Sequence, residues 1–149
     1  MVVMVVSCIP GCIISFPTEL IFIGLLPIKY WNKAIDVNLT GVFLCCQKIG
    51  KVMVKQRKGV IINISSTYGL VAPDQRIYGK SGQNSAAFYA TTKSGILNLT
   101  RYLASYWQRK GIRVNTLSPG GVEKNQDPEF IKKYSERTPL GRMAKKDEY

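Results

Sequence analysis

Hydrophobic residues recur every three or four positions along two long stretches of the chain, and this spacing predicts two amphipathic helices. The first occupies residues 31–58, with Gly59 as its stop signal. Its apolar positions are Ile35, Leu39, Val42, Phe43, Cys46, Ile49 and Met53. The second begins at Asn84 or Ser85, either of which is a good N-cap, and ends at Lys110. Its apolar stripe consists of Ile96, Leu99, Leu103 and Trp107.

Two continuous apolar runs, residues 59–66 and 111–121, flank the second helix and predict buried strands. A strand, a helix and a second strand form the crossover unit of a parallel sheet, so the sequence predicts an α/β fold. Open α/β sheets place their chemistry at the carboxyl ends of the strands. Ser65 and Ser66 end the first run, and the Pro119-Gly120-Gly121 turn ends the second. We therefore expect a functional site at this edge of the sheet.

Tyr89 and Lys93 lie four residues apart in the second helix, so they share one helix face. A tyrosine hydroxyl in water titrates near pH ~10, and a neighbouring cation favours the phenolate and lowers this pKa. Such a tyrosine can exchange a proton with an alcohol or a carbonyl oxygen at physiological pH. The same spacing is common on solvated helix faces, so its meaning depends on the strands around it.

These features, in this order and together with Asn38 in the segment DVNLTG, resemble the short-chain dehydrogenase/reductase family from about residue 30 to residue 149. The resemblance implies a partial, Rossmann-like, doubly wound parallel sheet. It also implies that Asn38, Ser66, Tyr89 and Lys93 are the family's catalytic tetrad. Tyr89 would be the general acid/base, and Ser66 would bind the substrate oxygen. Lys93 would lower the tyrosine pKa and hold the nicotinamide ribose, while Asn38 would help to hold a water that relays protons.

The resemblance further implies an NAD(P)-dependent oxidoreductase that moves hydride between nicotinamide and a small-molecule secondary alcohol or ketone. Pro119, Gly120 and Val122 fall where the family's backbone meets the nicotinamide carboxamide, and Tyr89 and Lys93 would also contact the cofactor. The choice between NAD and NADP stays open. The sequences of residues 68–69, 76–78 and 98–104 resemble, more narrowly, bacterial members linked to surface-sugar and flagellin-glycan biosynthesis, which suggests a sugar derivative as substrate.

Two departures from the family pattern affect the expected site. Ser66 and Tyr89 are separated by 23 positions, more than is usual in the family, so residues 70–84 are expected to form an inserted loop. Lys124 stands where a threonine often follows the Pro-Gly turn, which puts one cofactor contact in doubt. Ser65 is the alternative to Ser66 for the hydroxyl that binds substrate.

The chain divides into residues 1–28, which do not resemble the family, and residues 29–149, which are expected to be a partial catalytic domain. The first segment is apolar, with Glu19 as its only charge and Pro10, Pro17 and Pro27 interrupting it. It represents a wrong start or frame, divergent strands such as residues 20–26, or a membrane-associated segment, although the prolines make a spanning helix a poor interpretation. The sequence contains no glycine-rich dinucleotide-binding turn, so the first βα unit of the domain is expected to be missing. The sequence stops at Tyr149, before the last strand would be expected, so that strand is expected to be missing too.

The net charge and the cysteine content bear on the partners, the metal ions and the cellular location to be expected. A net charge of +12 could attract phosphates or nucleic acid, but no nucleic-acid motif accompanies it, so no nucleic-acid partner is expected. Four cysteines and no histidine give no metal-ligand pattern, so no metal is expected. Reduced thiols in a cytoplasmic protein are the simplest interpretation.

A third helix is predicted at residues 127–134, with Pro128 at its first position, where the family has its substrate lid. In the family the two long helices pack against their copies in a second subunit, which implies a homodimer or homotetramer. Tyr102 and Tyr106 are candidates for that contact. The alternative function is a truncated, non-catalytic remnant or a dimerisation module that kept these helices.

Overall fold

The computed structural model describes residues 3–6 and 23–148, and the structural statements below concern those residues. Strands β1 (Val3–Val6), β2 (Gly59–Ile64) and β3 (Ile112–Leu117) form one sheet in the order β1-β2-β3. Both strand pairs are parallel, with Val5 opposite Ile62 and Ile62 opposite Asn115. The described part of the chain therefore has the predicted parallel sheet.

The first strand comes from the segment that does not resemble the family. Val3–Val6 supplies an outer strand beside β2. The strand expected at residues 20–26 does not form as predicted, because Ile23, Gly24 and Leu25 lie in a turn. Residues 20–22 of that prediction lie outside the described residues.

The first long helix is continuous but contains a π-helical turn. It consists of α1 (Ile28–Ile35), the π-turn (Asp36–Thr40) and α2 (Gly41–Gln56). Arg57, with a left-handed φ of 52°, ends it. The predicted stop at Gly59 is therefore wrong, because Gly59 is already the first residue of β2.

Helix α4 (Ala87–Tyr106) carries Tyr89 and Lys93 and is shorter than predicted at both ends. The Gln75 side chain accepts a hydrogen bond from the Ser85 N–H at 2.8 Å and donates one to the Ser85 carbonyl at 3.0 Å. These bonds hold Ser85 in the preceding loop, so it does not cap the helix. At the other end, the helix stops one residue before Trp107, whose ring packs against Gly50 of α2.

Helices α2 and α4 enclose the core on one face of the sheet. The buried cluster consists of Val6, Val42, Cys46, Met53, Ile61, Ile96, Leu103, Trp107, Ile112 and Val114. Phe43, predicted to face this core, is 42% exposed instead. On the opposite face of the sheet, Val3, Val5 and Leu117 are 50%, 60% and 47% exposed. Among residues 3–6 and 23–148, little therefore covers this second face.

A buried polar link joins the two helices to the central strand. Asn63 of β2 is fully buried, donates to the Thr100 hydroxyl at 2.9 Å and accepts from the Cys46 thiol at 3.5 Å. Buried polar groups of this kind must be paired, because an unpaired one costs free energy. The link therefore fixes α2 and α4 at one position along β2.

Three short elements complete the described fold. Helix α3 (Thr67–Leu70) follows β2, a 3-10 turn (Gln75–Tyr78) lies in the loop before α4, and α5 (Pro128–Ser135) follows β3. The Asp127 side chain caps α5 by accepting from the N–H groups of Glu129 and Phe130. The prediction of a helix with Pro128 in its first turn is confirmed.

By length and composition alone, the continuous helix Ile28–Gln56, with a mean hydropathy of 1.2 over its most apolar window, could cross a membrane. The core helix of a globular domain satisfies the same test, and α2 buries Val42, Cys46 and Met53 against the sheet.

We predict that Gly50→Ala lowers the free energy of unfolding by about 1–3 kcal/mol, because the added methyl group would overlap the Trp107 ring. Gly41→Ala in the same helix is the matched control, since the nearest atom to its new Cβ is the Asp36 carbonyl oxygen at 3.5 Å. That variant should gain up to about 1 kcal/mol from reduced backbone freedom. Urea denaturation measures both changes, and equal effects at the two positions would contradict this packing.

We also predict an alkaline loss of stability caused by Cys46. Burial raises the pKa of this thiol from 9.0 to about 11. Above pH 9 the unfolded chain therefore loses the thiol proton more readily than the folded chain, so the free energy of unfolding falls as the pH rises toward 11. This loss of stability is up to about 2 kcal/mol. In chemical denaturation between pH 9 and 11, Cys46→Ala should show a shallower loss than the wild type; parallel curves would disprove the assignment.

Candidate functional site

The carboxyl ends of β2 and β3 are joined by backbone hydrogen bonds beyond the strands themselves. The Ser65 N–H donates to the Leu117 carbonyl at 2.8 Å, and the Thr67 N–H donates to the Pro119 carbonyl at 3.0 Å. The segments that follow the two strands, residues 65–67 and 117–119, therefore lie side by side. The predicted site residues Ser66 and Pro119 belong to this edge.

The two serines at the end of β2 have different environments. Ser65 is 3% exposed, and its hydroxyl donates to the Lys93 carbonyl at 2.7 Å, which links the strand end to the second turn of α4. The Ser66 hydroxyl accepts from the Tyr68 N–H at 3.2 Å and so caps α3. Ser65 thus has a structural bond inside the fold, whereas Ser66 lies at the start of the α3 turn.

Lys93 is buried, although lysine side chains usually reach water. The residue is 4% exposed, and its ammonium group donates to the Ile64 carbonyl at 3.1 Å. The same nitrogen lies 5.8 Å from the centre of the Tyr89 ring. The structure therefore brings Tyr89, Lys93 and the end of β2 together, as the spacing of the two residues on one helix face predicts.

Close backbone packing holds α3 against α4 beside this lysine. A Cβ atom at Gly69 would lie 2.6 Å from the Ser65 hydroxyl oxygen and 2.8 Å from the Lys93 carbonyl group. No side chain fits there, so Gly69 is required for this approach. The approach fixes Ser66, at the start of α3, relative to the helix that carries Tyr89.

Asn38 lies in the π-turn of the first long helix and is half-buried. Its neighbour Leu39 packs against Gly95, where a Cβ would come within 3.1 Å of the leucine methyl carbons. The π-turn therefore lies beside α4, two residues beyond Lys93. Helical periodicity did not predict this turn, and π-turns are frequent at functional sites.

The Pro119-Gly120-Gly121 turn leads into a short extended segment. Val122 pairs with Ala144 in a parallel bridge, and the Gln126 side chain donates to the Val122 carbonyl at 2.8 Å. A cleft of about 390 Å³ opens beside this turn. Its lining includes Thr67, Gly120, Gly121, Tyr134, Thr138 and Arg142. Tyr89 and Lys93 do not line this cleft.

Sequence reasoning missed a group of tyrosines around Tyr89. The phenol groups of Tyr68 and Tyr78 lie near each other, and both lie near Tyr89. Burial raises the pKa of Tyr68 and of Tyr78 above the usual tyrosine value, so both phenols are protonated at neutral pH. Tyr68 follows Ser66 by two positions, but Tyr78 lies in the loop before α4, and no local pattern in the sequence predicts that they meet.

The donor set at this edge fits a nicotinamide nucleotide and an alcohol or carbonyl substrate. A buried ammonium group, a phenol and a serine hydroxyl can hydrogen-bond ribose hydroxyls and a substrate oxygen. No group of three histidine, cysteine, aspartate or glutamate side chains within the described ranges could hold a metal ion.

Comparison with known proteins identifies the family. The sequence model described as Enoyl-(Acyl carrier protein) reductase matches residues 22–149. The chain is 38% identical, over 122 residues, to the 3-oxoacyl-(acyl-carrier-protein) reductase FabG of Thermotoga maritima. That match covers 79% of this chain and 46% of the relative.

Solved structures have the same fold. A short chain dehydrogenase from Leptospira borgpetersenii with bound NAD+ superposes with a TM-score of 0.74 at 43% identity, covering 80% of this chain and 45% of that one. A gluconate 5-dehydrogenase from Burkholderia cenocepacia, in complex with NADP and tartrate, superposes with a TM-score of 0.71 at 30% identity. That match covers 82% of this chain and 46% of the dehydrogenase. The chain thus spans about half the length of the relatives it matches.

These relatives do not support the narrower resemblance to surface-sugar and flagellin-glycan enzymes, since they carry the names of an acyl-carrier-protein reductase and a sugar-acid dehydrogenase. They do support the broader resemblance and the partial Rossmann-like sheet. With the family match extending over residues 22–149, this chain belongs to the short-chain dehydrogenase/reductase family.

Proposed function

We propose that this chain carries the proton-transfer site of an NAD(P)-dependent oxidoreductase that interconverts a secondary alcohol and a ketone. The observation that carries the proposal is the burial of Lys93, with its ammonium group 5.8 Å from the Tyr89 ring centre and 3.1 Å from the end of β2. Burying an ammonium group is costly unless it is paired, so its retention beside a tyrosine indicates a functional site.

Each residue of the proposed tetrad has a distinct role. Tyr89 gives its phenolic proton to the carbonyl oxygen during reduction, and takes it back during oxidation. Ser66 donates a hydrogen bond to the same oxygen and stabilises the charge that develops on it. Lys93 places a positive charge beside the Tyr89 ring, and Asn38 holds a water on the relay to the lysine.

The cofactor site consists of the turn after β3 and the face of α4. Pro119, Gly120 and Val122 present backbone groups to the carboxamide, while Tyr89 and Lys93 bind the ribose hydroxyls. When bound, the nicotinamide supplies or accepts the hydride. Solved relatives containing NAD+ and NADP support a nicotinamide cofactor of either type.

The substrate is proposed to be a small alcohol or ketone, including sugar derivatives. The relatives act, by their names, on 3-oxoacyl groups and on gluconate, so both classes are candidates. The Tyr68 and Tyr78 hydroxyls beside Tyr89 favour a hydroxylated molecule, because they can exchange hydrogen bonds with it. We propose a cytoplasmic location, which agrees with the free thiols of Cys45 and Cys46.

We predict that Tyr89→Phe lowers kcat/KM by about 10²-fold or more, because the proton donor is removed while the ring is kept. Tyr102→Phe is the matched control, since Tyr102 lies on the same helix and is 61% exposed. Turnover is followed by nicotinamide absorbance, with a 3-oxoacyl thioester and NADH or NADPH, and with gluconate and NAD+ or NADP+. Full activity of Tyr89→Phe would refute the proposed role, and a wild-type chain without turnover would favour the non-catalytic alternative.

We further propose that the outer faces of α2 and α4 meet their copies in a homodimer or homotetramer. Phe43, Leu44 and Val52 of α2 are 42%, 46% and 52% exposed, and Tyr102 and Tyr106 of α4 are 61% and 66% exposed. The two helices lie side by side, since Trp107 after α4 contacts α2. Exposed apolar area of this kind is typical of an interface between subunits.

Sedimentation velocity tests this interface. The wild-type chain should sediment as a dimer or tetramer, and Tyr106→Glu should shift it toward the monomer, because a buried unpaired charge opposes association. Thr91→Glu, an exposed position on the same helix, should leave the assembly intact. A monomeric wild-type chain, or equal effects of the two substitutions, would contradict the proposal.

A further inference from the structure

The loop before α4, residues 71–85, is attached to helix α5. The Tyr78 ring lies 5.2 Å from the Phe130 ring, centre to centre. The Arg137 guanidinium, just beyond the end of α5, lies 2.9 Å from the Asp74 carboxylate. These contacts join residues more than fifty positions apart, so the loop and α5 form one wall beside the carboxyl ends of the strands.

Helix α5 is attached in turn to the turn that follows β3. The Tyr134 hydroxyl accepts a hydrogen bond from the Gly121 N–H at 2.5 Å, and the Tyr134 ring lies 5.9 Å from that of Phe130. A Cβ at Gly121 would lie 2.9 Å from the Tyr134 ring and 2.8 Å from the Met143 methyl group. A larger residue at position 121 would therefore push the Tyr134 ring or the Met143 methyl group away from this turn.

Contacts therefore run without interruption from the loop before α4 to the Pro119-Gly120-Gly121 turn. Tyr78 contacts Phe130, Phe130 contacts Tyr134, and Tyr134 binds Gly121. We propose that Tyr134 is a positioning residue that fixes this turn through the Gly121 N–H and couples it to the loop before α4. A substrate that contacts the loop would thereby adjust the backbone that receives the nicotinamide. This inference rests on the proposed function for its cofactor, but the coupling itself does not.

The Asp74–Arg137 ion pair makes the coupling adjustable. Asp74 and Arg137 side chains are 25% and 42% exposed, and exposed ion pairs are weak, so the wall can open without unfolding the domain. Hydrogen bonds from Arg76, with help from Arg137, hold the pKa of Asp74 well below its usual range. The carboxylate therefore stays ionised at neutral pH, and the link persists there.

Amide hydrogen exchange at Gly121, followed by NMR, tests the coupling in the chain as it stands. Tyr134→Phe keeps the ring but removes the acceptor, so exchange at Gly121 should accelerate about fivefold or more. Arg137→Gln, which breaks the ion pair at the far end of the wall, should accelerate it about twofold. Arg76→Gln is the matched control, because Arg76 binds the same carboxylate from within the loop. That variant should leave Gly121 unchanged, and Arg137→Lys should restore most of the protection.

The outcomes separate this proposal from the proposed function. Unchanged exchange in Tyr134→Phe, or equal effects of Arg137→Gln and Arg76→Gln, would overturn the coupling. If the wild type turns over, Tyr134→Phe should raise the KM for NADH or NADPH severalfold with a smaller change in kcat. An unchanged KM would overturn the positioning role. If the wild type shows no turnover, the proposed function fails for this chain, and the exchange rates still decide the coupling.

Discussion

The structure depends on one buried charge. The Lys93 ammonium group reaches the last carbonyl of β2 and lies over the face of Tyr89, although the residue is almost fully buried. An ammonium group in such a position must keep hydrogen-bond partners, because desolvation without them is costly. The end of the strand, the first turns of α4 and the tyrosine are therefore held in one arrangement around this group.

Other contacts hold Lys93, Tyr89 and the end of β2 in this arrangement, and they have no role in the proposed reaction. Ser65 bonds the Lys93 carbonyl, Gly69 lets α3 approach the same point, and Asn63 joins β2 to both covering helices. The Ser65 and Asn63 contacts link β2 and its end to α4, and the Gly69 contact links α3 to α4. The proposed proton-transfer site would need its groups held in place before a substrate arrives, and these links hold them.

The parts that could be predicted from the sequence depend on local periodicity. The apolar runs gave the parallel strands β2 and β3, the i, i+4 spacing placed Tyr89 and Lys93 together, and Pro128 marked the start of α5. The parts that were missed depend on partners distant in sequence. Gln75 withdraws Ser85 from the helix start, and the aromatic wall is assembled from residues 78, 130 and 134. The π-turn at Asn38 adds one residue to a helical turn, which a regular helical pattern does not reveal.

We propose that the edge formed by Ser66, Lys93 and the turn after β3 receives a nicotinamide ribose. The most direct test is an NMR titration of the ¹⁵N-labelled chain with reduced nicotinamide mononucleotide, which carries the nicotinamide and its ribose without the rest of the dinucleotide. The account predicts saturable shifts of the backbone amides of Ser66, Lys93 and Val122, with little change at exposed positions such as Lys110. Shifts that never saturate, or that cluster away from this edge of the sheet, would contradict it.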